Sequence, residues 1–243
     1  MNLRLLAEHF LELFYPNVCA SCKKRLTDKA AIEGVVCLEC WQKIKKNSPP
    51  FCYLCGRHIE KNSLGKNICY SCARKNLYFD RVFAVGPYEG VIKELIHAFK
   101  YKGKKKLGQA LARLMQDFIL EYKIPIWFID SIVPVPLHPR RLREREFNQS
   151  LILGRILAQR FNKPIAENLL IRHRHTKSQA TLEDSQRLKN VKGSFGIKNK
   201  EAFEAKNILL VDDVFTSGAT CSEAARTLKE AGATVVFVLT LAN

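Results

Sequence analysis

Long hydrophobic runs are missing from this sequence. No apolar stretch approaches the roughly 20 residues that cross a bilayer, so no membrane-spanning helix is expected. The first sixteen residues also lack the unbroken apolar core of a secretory leader, because Arg4, Glu8, His9 and Glu12 interrupt it. The expected location is therefore cytoplasmic. Acidic residues are scarce beside basic ones: 23 Asp and Glu face 40 Lys and Arg, a formal charge of +17. That excess suits polyanionic partners, whether nucleic acid or phosphorylated small molecules, although an ordinary basic surface has the same arithmetic. Low-complexity tracts are absent too. With 47% hydrophobic and 26% charged residues over 243 positions, the composition is that of a folded protein of one or two domains.

What the chain does have is cysteine. Eight of its nine cysteines form four Cys-x-x-Cys pairs: Cys19/Cys22, Cys37/Cys40, Cys52/Cys55 and Cys69/Cys72. Fourteen residues separate the first two pairs and thirteen the last two, the spacing of zinc sites. Zinc takes four ligands in a tetrahedron, and two tight thiolate turns supply them. A disulfide framework has the same count, but reducing cellular thiols oppose it in a chain expected in the cytoplasm. A redox Cys-x-x-Cys does not explain four copies in register. Two structural Zn²⁺ ions are expected, with no ligand position left open. Sequential pairing, Cys19 to Cys40 and Cys52 to Cys72, is the simplest, and interleaved pairing stays open. Gly56 after Cys55 suits a knuckle that needs positive φ.

Leu3, Leu5, Leu6, Phe10, Leu11, Leu13 and Phe14 predict an amphipathic helix over 2–14, ended by Pro16. Pro49-Pro50 reads as a hinge between the cysteine halves. After Asn76 the pattern changes. Strands are predicted at Val82–Val85, Trp127–Val135, Ile208–Val211 and Val235–Leu241. Helices are predicted at Val91–Phe99, Leu107–Tyr122, Leu151–Phe161 and Cys221–Ala231. Strands alternating with helices give an α/β fold with a mainly parallel sheet flanked by helices, preceded by the small cysteine module. The expected division is 1–77 for the helix and ribbons and 78–243 for the α/β domain.

The segment Ile208-Leu209-Leu210-Val211-Asp212-Asp213-Val214-Phe215-Thr216-Ser217-Gly218-Ala219-Thr220 carries the most chemistry. An apolar strand ends in two carboxylates, and a loop of small and hydroxyl residues leads into a helix start. Backbone N–H groups and the helix dipole favour an anion there. Carboxylates suit hydroxyl groups instead. Side by side, the two imply a ribose 5-phosphate. An ordinary strand–turn–helix explains a capping Thr or Ser, but not two like charges at the mouth of a buried strand.

This segment resembles the phosphoribosyl pyrophosphate (PRPP) motif of type I phosphoribosyltransferases. With the four Cys-x-x-Cys pairs, the whole chain resembles the ComF family of phosphoribosyltransferase-like proteins, linked to DNA uptake in natural transformation. Three more stretches carry the likeness: Gly86-Pro87-Tyr88-Glu89-Gly90 through Phe99-Lys100-Tyr101-Lys102-Gly103; Val133-Pro134-Val135-Pro136-Leu137-His138 with Arg140, Arg141, Arg145 and Phe147-Asn148-Gln149-Ser150; and Arg172–Phe195 with Gln179, Arg187 and Asn190. The chain departs from the family at Glu146, where Gly usually precedes Phe-Asn-Gln.

The resemblance implies that Asp212 and Asp213 hold the ribose hydroxyls and that Thr216, Ser217, Gly218, Ala219 and Thr220 cradle the 5-phosphate. It implies that Arg140, Arg141 and Arg145 anchor pyrophosphate, and that Mg²⁺ accompanies PRPP if PRPP is the ligand. It also implies single-stranded DNA and DNA-uptake proteins as partners. The basic stretches Lys100, Lys102, Lys104, Lys105, Lys106 and Arg172, Arg174 are the candidate DNA track, with Tyr101, Phe147 and Phe195 as stacking candidates against a core alternative. Thr216 stands where purine-salvage relatives have an acid, which disfavours a purine transferase. The Met1-Asn2 start lacks the nucleophilic cysteine of amidophosphoribosyltransferases. Cys221 reads as a core residue, and His138, His173 and His175 as satisfied or solvated. A DNA-handling binder, a transferase with an unidentified acceptor and a ligand-sensing regulator all remain open.

Overall fold

The computed structural model describes residues 17–26, 31–59, 67–101, 106–174 and 189–243. The amphipathic segment 2–14 with Pro16, together with His175, Gln179 and Arg187, lies outside the described residues. No helix among the described residues is long and apolar enough to cross a membrane.

The first ribbon holds a short antiparallel pair, β1 (Ala31–Ile32) and β2 (Val36–Cys37), followed by α1 (Leu38–Gln42). The two cysteine quartets assemble sequentially, so the interleaved pairing is not the one adopted. Cys19, Cys22, Cys37 and Cys40 bring their sulfurs within 4.8 Å of one another, and so do Cys52, Cys55, Cys69 and Cys72. The Cys22–Cys37 and Cys55–Cys69 sulfur pairs are both 3.7 Å apart. A zinc tetrahedron with bonds of about 2.3 Å has edges of about 3.8 Å, so the donor sets fit the ion. Backbone N–H groups also point at the thiolates: Cys37 N donates to Cys19 Sγ at 3.4 Å and Cys69 N to Cys52 Sγ at 3.2 Å. Within the second ribbon, Gly56 has φ of 75°, and a Cβ there would lie 2.7 Å from Ala84 N. The knuckle therefore needs glycine both for its turn and for its approach to the neighbouring strand.

The larger part begins with β3 (Arg81–Gly86), α2 (Gly90–Tyr101), α3 (Leu107–Glu121) and β4 (Ser131–Pro134). It continues through α4 (Pro139–Arg145), α5 (Gln149–Phe161), β5 (Leu170–Arg172) and β6 (Phe195–Ile197). It ends with β7 (Asn207–Val214), α6 (Ala219–Glu230) and β8 (Val235–Ala242). β3, β8, β7 and β4 form a parallel sheet in that order, and β5 and β6 make a separate antiparallel pair.

Alternation along the strands divides the core between the two faces, as expected for a sheet covered on both sides. Leu209, Val211, Leu239 and Leu241 pack with α2, α3, α5 and the first ribbon. Ile208, Leu210, Val236 and Val238 pack with α6 and the second ribbon. The ribbons thus straddle the β3 edge. Asn47 N donates to Val85 O and Val82 N to Tyr53 O, each at 2.8 Å, so the outer rim of β3 is hydrogen-bonded rather than bare. Asn47 Nδ2 reaches Ala84 O at 2.9 Å, and Asn243 Nδ2 reaches Cys55 O at 2.5 Å, which ties the second knuckle to the sheet.

Three departures from the sequence expectation have local causes. The Trp127–Val135 strand is shorter: Ile126–Phe128 is a 3₁₀ turn after Pro125, and Trp127 is exposed. Asn207 bonds both the Phe128 carbonyl and the Asp130 carboxylate, so strand pairing starts only at Ser131 opposite Ile208. α5 starts two residues earlier than predicted, because Asn148 Oδ1 accepts from Ser150 N and caps it. α4 was not predicted. Its Arg140, Arg141, Arg143 and Arg145 show no apolar period, and it is set by the His138 cap and Pro139 in the first turn. α4 ends at Glu146 with φ of 65°, a left-handed conformation natural to glycine. The departure from the family at this position thus falls on a turn that favours the residue it lacks.

Zinc-loaded protein is expected to carry two metal ions per chain, one for each quartet. Cys72→Ser should halve that ratio in elemental analysis and lower the thermal midpoint. It should also promote self-association by uncovering the β3 edge. A ratio that stays at two would refute the assigned ligand sets.

Candidate functional site

The carboxyl ends of parallel strands are where ligands bind in open α/β sheets. Here they open on a cavity of about 410 Å³. That volume falls within the about 300–1,000 Å³ range of small-molecule sites. The turn behind the twin aspartates is therefore not plugged by its own side chains.

Several segments build the walls. From the end of β7 come Asp212 and Asp213, followed by Thr216 of the next loop and Thr220 at the start of α6. α2 supplies His97 and Lys100. The stretch after β4 supplies Pro136, Arg141 and Arg145, with Gln149 and Ser150 from the start of α5. Arg172 comes from β5.

Asp212 accepts from Ser150 Oγ at 2.9 Å and from Asp213 N at 2.8 Å through the same oxygen. Asp213 is paired with Lys100 Nζ at 2.8 Å, and both side chains are largely buried. Burial raises the Asp212 carboxyl from 3.8 to about 6, and the neighbouring Asp213 charge adds to the rise. The Asp213 N–H, Lys100 and Ser150 act against it. Cys221 Sγ lies 3.9 Å from Asp212 Oδ2. Burial and the two carboxylates push this thiol well above its usual range, so it stays protonated as a packed core residue.

The loop after β7 is set by Gly218, which has φ of 85° and forms the N-cap of α6. A Cβ there would lie 2.6 Å from the Phe215 ring, so only glycine fits. Phe215 is buried against Phe79 and donates its N–H to Ala242 O at 2.8 Å, which fixes the loop to β8. Thr216 is exposed to the cavity, Ser217 is buried, and Ala219 N bonds back to Ser217 Oγ at 3.4 Å. The result is a hydroxyl-rich turn at a helix start with no cation of its own.

Arginine dominates the opposite wall. Arg172 is 8% exposed and lies over Phe195 at 5.4 Å. Burial, followed by the charge of Arg141, lowers its pKa to about 10, with Asp212 opposing. It stays cationic at neutral pH. Arg145 Nη1 donates to Gln149 Oε1 at 3.3 Å. Gln149 is almost fully buried, and its Nε2 has no hydrogen-bond partner among the described residues. A buried amide donor facing a cavity is suited to a ligand oxygen. Arg140 is outside the cavity lining, exposed and paired with Glu144 at 3.3 Å.

The candidate DNA track divides. Lys100 and Arg172 belong to the cavity, a placement the basic runs alone did not suggest. The Gly86–Gly103 and Arg172–Phe195 stretches that carry the family resemblance held the signal. Lys106 is exposed ahead of α3, and Arg174 is exposed with Nη1 3.4 Å from Lys192 O. Lys102, Lys104 and Lys105 lie outside the described residues, as does the Tyr101 side chain. Phe147 and Phe195 are buried, Phe147 against Phe99 at 5.6 Å, so they serve the core rather than stacking on bases. His138 accepts from Arg140 N at 3.2 Å, and His173 Nε2 lies 3.1 Å from Gly193 O.

A carboxyl held near pH 6 is costly for folding above that value. Below about pH 4 both the folded and the unfolded chain hold the proton, and the penalty develops as pH rises toward 6. Asp212→Asn is therefore expected to raise stability at pH 8 by on the order of 2 kcal/mol, with the gain fading as pH falls from about 6 to about 4 and absent below that. Urea unfolding across that range checks it, and a gain independent of pH would contradict the assigned cause.

A double zinc ribbon domain model matches residues 10–73, and a phosphoribosyl transferase domain model matches residues 148–243. Competence protein F of Haemophilus influenzae is 29% identical over 233 residues, covering 95% of this chain and 98% of that protein. Competence protein ComFC of Bacillus subtilis is 32% identical over 203 residues, 81% of this chain and 79% of its own length. DNA utilization protein YhgH of Escherichia coli is 29% identical over 228 residues, 93% and 96% of the two chains. A solved glutamine phosphoribosylpyrophosphate amidotransferase from B. subtilis aligns with 60% of this chain and 30% of its own. Its TM-score is 0.41 and its identity 20%. Identity of this extent to competence proteins, across both the ribbon pair and the transferase-type domain, makes this chain a member of the ComF family.

Proposed function

We propose that the cavity binds the phosphoribosyl group of PRPP or ribose 5-phosphate, and that the protein handles single-stranded DNA during DNA uptake. One observation carries the ligand reading. A carboxylate pair, a hydroxyl-rich helix-start turn and three arginines line one cavity at the carboxyl end of the sheet. The carboxylates suit the sugar hydroxyls, the turn suits the 5-phosphate, and the arginine forks suit pyrophosphate. Arg141, Arg145 and Arg172 are the anchors on that reading, while Arg140 stays outside the cavity lining.

Mg²⁺ enters only as a companion of pyrophosphate, held mainly by ligand oxygens. The cavity's own carboxylates, Asp212 and Asp213, are already engaged by Ser150 and Lys100, so they do not form a dedicated cage for the ion. If transfer occurs, the arginines would stabilise the departing pyrophosphate and the lone Gln149 amide would hold a ligand oxygen.

The DNA part rests on the family. The relatives are competence and DNA utilization proteins, and the chain carries +17 charges with Lys106 and Arg174 exposed. DNA phosphates would be met by this surface, and binding would release counterions.

Ribose 5-phosphate and PRPP are expected to raise the thermal midpoint. The double variant Asp212→Ala, Asp213→Ala should abolish both shifts. Arg141→Ala with Arg145→Ala should remove only the advantage of PRPP over ribose 5-phosphate. An undiminished shift in the aspartate variant would sink the ligand reading. For DNA, affinity for an oligonucleotide should fall linearly in log–log form with salt. Lys106→Ala with Arg174→Ala should lessen that slope by about 1.4. Binding that ignores salt would count against the track.

A further inference from the structure

The phosphate end of the proposed site has donors but no cation of its own. Thr216 to Thr220 are neutral, and Lys100 is committed to Asp213 at 2.8 Å. Arg141 and Arg145 approach from the β4 side of the sheet. A cation close by strengthens the hold of such a turn on a phosphate dianion, since charge-assisted hydrogen bonds are the strong ones.

A second cavity, of about 510 Å³, opens on the other side of the same turn. It shares Tyr88, Val214 and Thr216 with the first, so the two meet at the phosphate loop. Its far wall is the second ribbon, which contributes Arg57 and Lys75. Each cation follows one knuckle. Arg57 comes two residues after Cys55, and its carbonyl accepts from Cys52 N at 2.8 Å. Lys75 follows Cys72 by three, and its N–H donates to Cys72 O at 2.9 Å. The metal quartet therefore fixes the backbone of both. Asn243 joins the quartet to the sheet through Cys55 O, beside the strand that holds Phe215 of the loop.

We infer that Arg57 and Lys75 of the second ribbon complete the phosphate end of the site, so that the ligand's phosphate is bound between the α/β domain and the metal module. This rests on the phosphoribosyl reading and adds to it a role for the ribbon as part of the binding site. It also makes affinity for the phosphate depend on the second metal, whereas binding of pyrophosphate on the arginine wall does not need it.

The test uses full-length, zinc-loaded protein titrated by calorimetry with ribose 5-phosphate and, separately, with pyrophosphate. Arg57→Ala with Lys75→Ala is expected to weaken ribose 5-phosphate about tenfold or more, since charge-assisted bonds are lost. Pyrophosphate affinity should change by no more than about threefold, and Lys24→Ala on the first ribbon should change neither by more than that. The charge-retaining Arg57→Lys with Lys75→Arg should recover most of the loss, provided both variants keep two zinc ions per chain. Wild-type affinity for ribose 5-phosphate in the alanine double variant, with zinc retained, would overturn the inference alone. If the wild-type protein does not bind ribose 5-phosphate at all, the phosphoribosyl reading falls with it.

Discussion

Two carboxylates in sequence at the end of a buried strand should not both be comfortable, and the architecture around β7 is arranged to hold them. Asp212 gets a serine hydroxyl from the start of α5 and the N–H of its own neighbour. Asp213 gets the ammonium of Lys100 from α2. Those donors come from helices separated in sequence by the whole of α3 and β4, and they meet only because the parallel sheet aligns its carboxyl ends. A residual upward push on Asp212 remains, because burial and the Asp213 charge outweigh those donors.

Parts of this were legible in the residue order. The cysteine spacing carried both metal quartets, because four ligands in two tight turns leave few geometric solutions. The Ile208–Thr220 pattern carried the strand, the turn and the helix, because its apolar run, acids and glycine each have a separate physical reason. The parallel sheet followed from alternating apolar strands and amphipathic helices. What could not be read was set by long-range pairing. Arg172 and Lys100 look like members of basic runs, yet tertiary packing turns them into the cavity. α4 was hidden because a charged helix has no hydrophobic period, and its ends come from a histidine cap and a left-handed Glu146. The Trp127 run looked like a strand until Asn207 is seen to take up the groups that would have started the ladder.

The ribbons show how a metal module with little apolar surface gains a place. It does not make a separate ball. Cys52, Cys55, Cys72 and Ile59 enter one core and Cys19, Cys40, Ile44 and Phe51 the other, while its backbone completes the rim of β3. Folding of the sheet and metal binding are therefore coupled on both faces, and the second ribbon comes to stand beside the turn after β7.

Cys221 draws out one more consequence. Eight of the nine sulfurs belong to the metal quartets, and the ninth is shut in beneath Asp212 as a neutral thiol. In the metal-loaded protein it is the one sulfhydryl left for an alkylating reagent, and the reagent meets it only when the start of α6 breathes. Its modification rate is thus a native stopwatch for local opening beside the aspartates, needing no introduced probe, and any occupant that tightens this corner should slow it.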